Sequence, residues 1–376
     1  MNKSLISLIL FIAFPIISFA QNSNKFDREV GEFMMRGDVK GAIAVLDKAI
    51  EKKKNLFEAY KVRATLRTFA GDVDGAIADL TNALAIKPTD GELYYQRGNF
   101  RTMNNKNPLE ALKDYDSAIA FGYKSEKVYV SRGSMKERQN DFDGAIADYE
   151  TATAISPDYI SAQLGIATAL RLKGDTAAAI VRLQEFLDRY ERDSDKKSQK
   201  IKGKTVAVQA TESSVSKNAE NTTATLAIQG IEAYEAPSSP KELEKFQRER
   251  EQSRNLASAY SNLASMYLDR GNLEKAFLNI EKSLKINTND FYARSVRGKL
   301  RMQKNDFSGA VSDFDYAISV VSILPENYLN RGIALFMMGK DAAAQKDFDK
   351  YLQLLPSGKV ALEERIEAAK QQRLQN

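Results

Sequence analysis

Five arginines and five aspartates recur in step along this chain. Arg63, Arg97, Arg132, Arg297 and Arg331 are followed 16 or 17 residues later by Asp79, Asp114, Asp148, Asp313 and Asp347. A guanidinium and a carboxylate at fixed separation can hold a charged ligand, or they can neutralise each other across a packed seam. A ligand site calls for divergence between copies, and these copies are alike. Where one partner is missing the other is missing too: Ile166 goes with Arg182, and Leu263 with Asn279. The pairs are therefore expected to be structural, clamping one helix to another. Removing one partner of such a pair costs about 3–5 kcal/mol, whereas replacing both by apolar residues is near neutral.

Composition removes most other chemistry. The chain has neither cysteine nor histidine. Thiolate nucleophiles, imidazole acid–base catalysis and zinc or haem ligation by those side chains are excluded. No catalytic constellation and no glycine-rich phosphate loop appears, so no enzyme, cofactor or metal centre is expected. The net charge is +5 against 105 charged residues. That excess is too small and too dispersed for a nucleic-acid footprint.

A repeat must position the pairs. Ala42, Ala76, Ala111, Ala145, Ala179, Ala276, Ala310 and Ala344 stand at intervals of 34, 35, 34, 34, 97, 34 and 34 residues. Such a period means stacked supersecondary units rather than one globular core. Shortly before each alanine comes a turn residue: Gly37, Gly71, Asn105, Asn140, Gly174, Gly271, Asn305 and Gly339. Gly and Asn most readily take a positive φ, so each marks a helix closed by a left-handed residue. On either side, apolar residues recur at helical spacing, as in Tyr129 to Asn140 and Asp141 to Asp158, where Pro157 ends the second helix. Each unit reads helix, tight turn, helix.

This pattern resembles the tetratricopeptide repeat. The residues that carry the likeness are an aromatic in the first helix, a small residue four positions later, the signature alanine, and a proline after the second helix. They stand as Tyr94, Gly98, Ala111, Tyr115 and Ala118; as Tyr129, Gly133, Ala145, Tyr149, Ala152 and Pro157; and as Tyr328, Gly332, Ala344, Phe348 and Pro356. Other copies fit with Tyr60, Ala64, Ala76 and Pro88, with Tyr260, Ala264 and Ala276, and with Gly298, Ala310, Phe314 and Ala317. The first copy is degenerate, with Val30 at the small position after Phe26. The resemblance implies an all-α solenoid, a right-handed superhelix of helix-turn-helix repeats that binds other proteins.

The expected organisation follows. Residues 1–20 read as a signal peptide: Lys3, an apolar run from Leu5 to Ile17, then Ser18 and Ala20 before a cleavage at Gln21. No cysteine follows that run, so lipid attachment of the lipoprotein kind is not expected. An N-terminal block of about five repeats spans 21–190, and a C-terminal block of about three spans 240–356. A capping helix occupies 357–376. Between the blocks lies an insert, 191–239, charged and turn-prone at first. It then carries two β-branched runs, from Thr205 and from Thr222. These read either as a disordered linker or as a β-hairpin arm. Ser239, Pro240 and Glu242 form a helix start whose helix runs on to near Gly271, about 30 residues or 45 Å.

The face of each first helix turned away from the packing stripe lines the concave groove, as the resemblance implies. In the N-terminal block its candidate partner-binding residues are Lys61, Phe69, Tyr95, Asn99, Met103, Arg138, Leu164 and Leu172. In the C-terminal block they are Lys299, Met302, Leu329, Phe336 and Met337. The apolar last repeat has a second reading, packing under the terminal helix from Val360 to Leu374. The family's carboxylate-clamp set is missing, because Lys61 is followed by Thr65, and Gln96 and Asn99 come without basic partners. The expected function is a non-enzymatic protein-interaction scaffold of the bacterial periplasm or envelope, with a peptide or protein partner in the groove. The alternative is an accessory factor for envelope assembly or secretion that binds through the 191–239 insert.

Overall fold

The computed structural model of the chain describes residues 25–209 and 240–375. The expected signal peptide and residues 210–239 of the insert, with the run from Thr222, lie outside the described residues. Among the described residues the chain is all α, apart from one 3-10 turn, and it divides into two compact units at Gly174.

The N-terminal unit holds α1 (Lys25–Met35), α2 (Val39–Glu51), α3 (Leu56–Phe69), α4 (Val73–Ile86), α5 (Gly91–Asn104), α6 (Pro108–Ala120), α7 (Glu126–Arg138), α8 (Phe142–Ile155) and α9 (Ile160–Leu172). Each helix packs on the next, and the first helices α7 and α9 also touch. The C-terminal unit holds α10 (Thr176–Gln209), α11 (Pro240–Asp269), α12 (Leu273–Ile286), α13 (Phe291–Gln303), α14 (Phe307–Val320), α15 (Pro325–Met337), α16 (Asp341–Leu354) and α17 (Lys359–Gln375). A 3-10 turn, Pro356–Gly358, precedes α17. Each unit is a stack of helix-turn-helix pairs, the α-solenoid arrangement.

The periodic residues explain the stack. All eight turn residues take positive φ, from 51° at Asn105 to 99° at Gly174. The residue after the turn then caps the second helix: the Asp72 carboxylate accepts from Gly75 N–H and the Asp141 carboxylate from Gly144 N–H, at 2.8 and 3.0 Å. The eight signature alanines are at most 1% exposed. A larger side chain there would push the two helices of a pair apart. The small residue of the first helix serves the same end. A Cβ on Gly98 would lie 2.7 Å from the Tyr115 ring, and one on Gly332 would lie 2.5 Å from that of Phe348.

Two expectations about the insert need correction. The turn-prone character of Glu191 to Lys204 predicts loop, and the run from Thr205 predicts part of a disordered linker or of a β-hairpin arm, but α10 continues without a break to Gln209. A short run of β-branched residues cannot by itself be told from helix, and charged residues at i, i+4 support a helix as readily as they mark a loop. On the other side α11 starts at Pro240 and runs 30 residues. The terminal helix α17 packs chiefly on α15, the first helix of the last pair. No helix among the described residues is long and apolar enough to cross a membrane.

Candidate partner-binding groove

The arginine–aspartate pairs sit behind the groove. In all five, Nε donates to Oδ2 at 2.8–3.0 Å and Nη2 to Oδ1 at 2.6–2.7 Å, a two-pronged contact between the two helices of a repeat. The aspartates are 1–5% exposed. The remaining arginine nitrogen reaches the second helix of the preceding repeat: Arg63 donates to Asp47, Arg97 to Thr81, Arg132 to Asp116 and Arg331 to Asp315. One side chain thus ties three helices. The Arg132 and Arg331 guanidinium groups are held above the usual arginine range, chiefly by their hydrogen bonds to Asp148 and Asp347. Where the pair is absent, Ile166 and Leu263 are buried in its place.

A second cation completes four of these clamps. One helical turn after the arginine, Arg67, Arg101, Lys136 and Arg301 contact Asp79, Asp114, Asp148 and Asp313 at 2.7–3.0 Å. Each also bonds a backbone carbonyl in the first turn of the second helix. Sequence reasoning missed these cations, although they recur four residues after the first. Position 335 is Leu335, so Asp347 has Arg331 alone among the described residues.

In the N-terminal unit the groove face of α3, α5, α7 and α9 is open. Phe69, Met103 and Leu172 are 42%, 62% and 49% exposed, and Arg138 in the same series is exposed, donating to Asn105 Oδ1. Lys61 and Leu164 are half-buried, with Lys61 lying over the Phe57 ring. Tyr95 stacks on Tyr123 with ring centroids 5.0 Å apart. Asn99 accepts from Tyr115 Oη at 3.0 Å, which also meets Thr102 Oγ1 at 2.9 Å. Burial raises the Tyr115 phenol above its usual range.

The next copy has a carboxylate at the Thr102 position. Where Thr102 meets Tyr115, Glu137 meets Tyr149, whose Oη donates to Oε2 at 3.3 Å. Burial pushes the half-buried Glu137 carboxyl up, and Arg171 on α9 partly offsets this through space. Thr68, Thr102, Glu137 and Arg171 are equivalent positions at repeat spacing. Adjacent opposite charges at equivalent positions were legible in the sequence and were overlooked.

In the C-terminal unit the groove is covered. Leu329 was expected to meet a partner, but it is 3% exposed and packs with Ile333, Leu362 and Ala369 under α17. Phe336 and Met337 are half-buried against the same cluster, and Arg373 lies over the Phe336 ring at 4.9 Å. Leu329 therefore faces α17 and not an open groove. An apolar first-helix face gives up its hydration cheaply to any amphipathic segment tethered nearby. Lys299 and Met302 border the cavity left beside α17.

Two stretches, residues 132–193 and 257–290, match sequence profiles described as the tetratricopeptide repeat. The chain is a tetratricopeptide repeat protein. The crystal structure of a tetratricopeptide repeat protein from Parabacteroides merdae matches at TM-score 0.57 and 15% identity, over 83% of this chain and 98% of that one. A crystal structure of MamA matches at TM-score 0.41 and 24% identity, over 44% of this chain and 96% of that one. PilW, described as a widely conserved type IV pilus biogenesis factor, matches at TM-score 0.43 and 18% identity, over 69% and 90%. At 15% identity the likeness to the Parabacteroides merdae protein is one of fold alone. No curated protein matches the chain. Tetratricopeptide arrays are protein-interaction scaffolds, and this array belongs with them.

Proposed function

We propose that this tetratricopeptide protein is an exported scaffold of a bacterial periplasm or envelope, and that its N-terminal groove holds an extended segment of a protein partner. The exposed stripe of Phe69, Met103 and Leu172 carries the reading. Large apolar side chains left in water at repeat spacing mark an interaction surface. Thr65, Asn99, Ser134 and Thr168 run beside them, one per copy, and offer hydrogen-bonding groups to a backbone. Packed helices lie about 8–10 Å apart and an extended chain advances about 3.3 Å per residue, so every third partner residue can meet a new copy. The exported setting rests on the Lys3 to Ala20 segment.

The test is capture from envelope extracts by cross-linking. A variant with Phe69→Ser, Met103→Ser and Leu172→Ser should keep its far-UV circular dichroism and lose the partner. Deletion of residues 210–239 should leave capture unchanged. Undiminished capture by the triple variant would sink the groove reading, and capture lost only on the deletion would move binding to the insert.

A further inference from the structure

In the C-terminal unit the groove is already occupied, by α17, and the fit is poor. Of this 17-residue helix, Leu362 and Ala369 are the buried side chains, with Ile366 half-buried beside them. The rest of its hold is a set of polar contacts, of which one reaches the buried Asn330, and the cation of Arg373 over the Phe336 ring. Arg365 donates to Asn330 Oδ1 at 3.0 Å, Gln372 to Asn305 Oδ1 at 3.2 Å, and Arg373 to Asp341 Oδ1 at 2.8 Å. The two exposed contacts, those of Gln372 and Arg373, are individually weak. A cleft of about 480 Å³, open to solvent, remains beside the helix, with Arg365, Ala368, Ala369 and Gln372 on its α17 wall, and with Met302, Ile333 and Met337 beside polar residues such as Lys299 and Glu326 opposite. Methionine-lined apolar surfaces re-pack around different occupants.

We propose that this groove is a second partner site, and that it takes an amphipathic helix from another protein in place of α17. The partner's chemistry follows from what α17 touches. Aliphatic residues stand at the registers of Leu362, Ile366 and Ala369, which are i, i+4 and i+7 on one face. A large apolar side chain takes the Ala369 register, where it enters the cavity. A basic residue takes the Arg373 register, between the Asp341 carboxylate and the Phe336 ring. The site uses other helices and another mode of recognition than the N-terminal groove, so either can fail without the other.

The probe is a fluorescein-labelled synthetic peptide of Lys359 to Gln375 carrying Ala369→Leu, titrated by anisotropy into the full chain. One form carries Arg365→Glu with Arg373→Glu to loosen α17. Another carries Asn305→Cys with Gln372→Cys, joined by a short bismaleimide; the chain has no cysteine of its own to compete. The loosened form should bind the probe at least tenfold more tightly than the unaltered chain. The cross-linked form should not bind it, and the peptide without the leucine should bind several-fold more weakly. Should α17 amides stay protected in the loosened form, Leu362→Asp empties the groove instead, with circular dichroism as the check on folding. Binding that the cross-link does not prevent, or an emptied groove that ignores the probe, overturns the proposal.

Discussion

Arg331→Ala should destabilise its repeat more than Arg132→Ala destabilises its own. Both arginines make the same two-pronged contact with a buried aspartate, at 2.6 Å on the shorter arm. Both reach back to an exposed aspartate of the preceding repeat at 2.7 Å, a contact worth at most about 1 kcal/mol. What differs is what remains. Without Arg132, Asp148 keeps Lys136 at 2.9 Å. Without Arg331, Asp347 keeps no cation among the described residues. Breaking a buried pair costs about 3–5 kcal/mol because a charge is left uncompensated. The first variant therefore belongs near 3 and the second near 5 kcal/mol, about thirtyfold apart in a local opening constant. A repeat array does not unfold in one step, so the readout is amide exchange of the helices flanking each clamp. The double variant Arg132→Leu with Asp148→Leu should recover most of the loss, since it leaves no buried carboxylate, and Ile166 and Leu263 already fill the arginine position in other copies. Equal losses in the two single variants would refute the reasoning. Full stability of Arg132→Ala together with lost partner capture would make the pair functional.

Gly98→Ala gains about 1 kcal/mol of helix propensity, yet should lose about 1–3 kcal/mol to the Tyr115 ring, 2.7 Å from the new Cβ, so a net loss in urea melts measures the clash. Glu137→Gln should stabilise the N-terminal unit at pH 7. Burial raises the folded carboxyl above its unfolded value, so the ionised form costs stability above the raised value, and the advantage should vanish below the ordinary glutamate range; thermal melts across pH check it. Mature protein should begin at Gln21 by N-terminal sequencing, and recovery of full-length chain in washed membranes would refute cleavage.

Much of the fold was legible because each signal repeats. One glycine before one alanine says little, but eight at near-constant spacing, each a Gly or an Asn, leave no other reading than a helix pair. The clamps were legible for the same reason. Their second cations at Arg67, Arg101, Lys136 and Arg301 are just as periodic, but their role appears only once the i+4 position is seen to face the same aspartate. The insert was not legible, because outside the array no repetition averages out the ambiguity of a short run such as Thr205 to Gln209.

The two grooves diverge for a reason that one lattice position makes plain. In the N-terminal unit it carries Thr68, Thr102, Glu137 and Arg171; in the C-terminal unit it carries Leu268, Met302 and Phe336. Polar and charged groups at this position keep their hydration on an open concave face, and they separate the exposed apolar side chains Phe69, Met103 and Leu172 from the packed stripe. The second groove adds Leu329, Ile333 and Met337 to the same surface, and a contiguous apolar face of that kind is stable only when covered. The sequence of α17 shows that it has an apolar stripe but not which surface receives it. The character of the two grooves at this position decides that, because there the C-terminal one gains more by being covered. A partner that competes for it must offer more apolar area than Leu362, Ile366 and Ala369 supply, whereas a partner of the N-terminal groove must cover Phe69, Met103 and Leu172 and also match the hydrogen bonds and charge beside them.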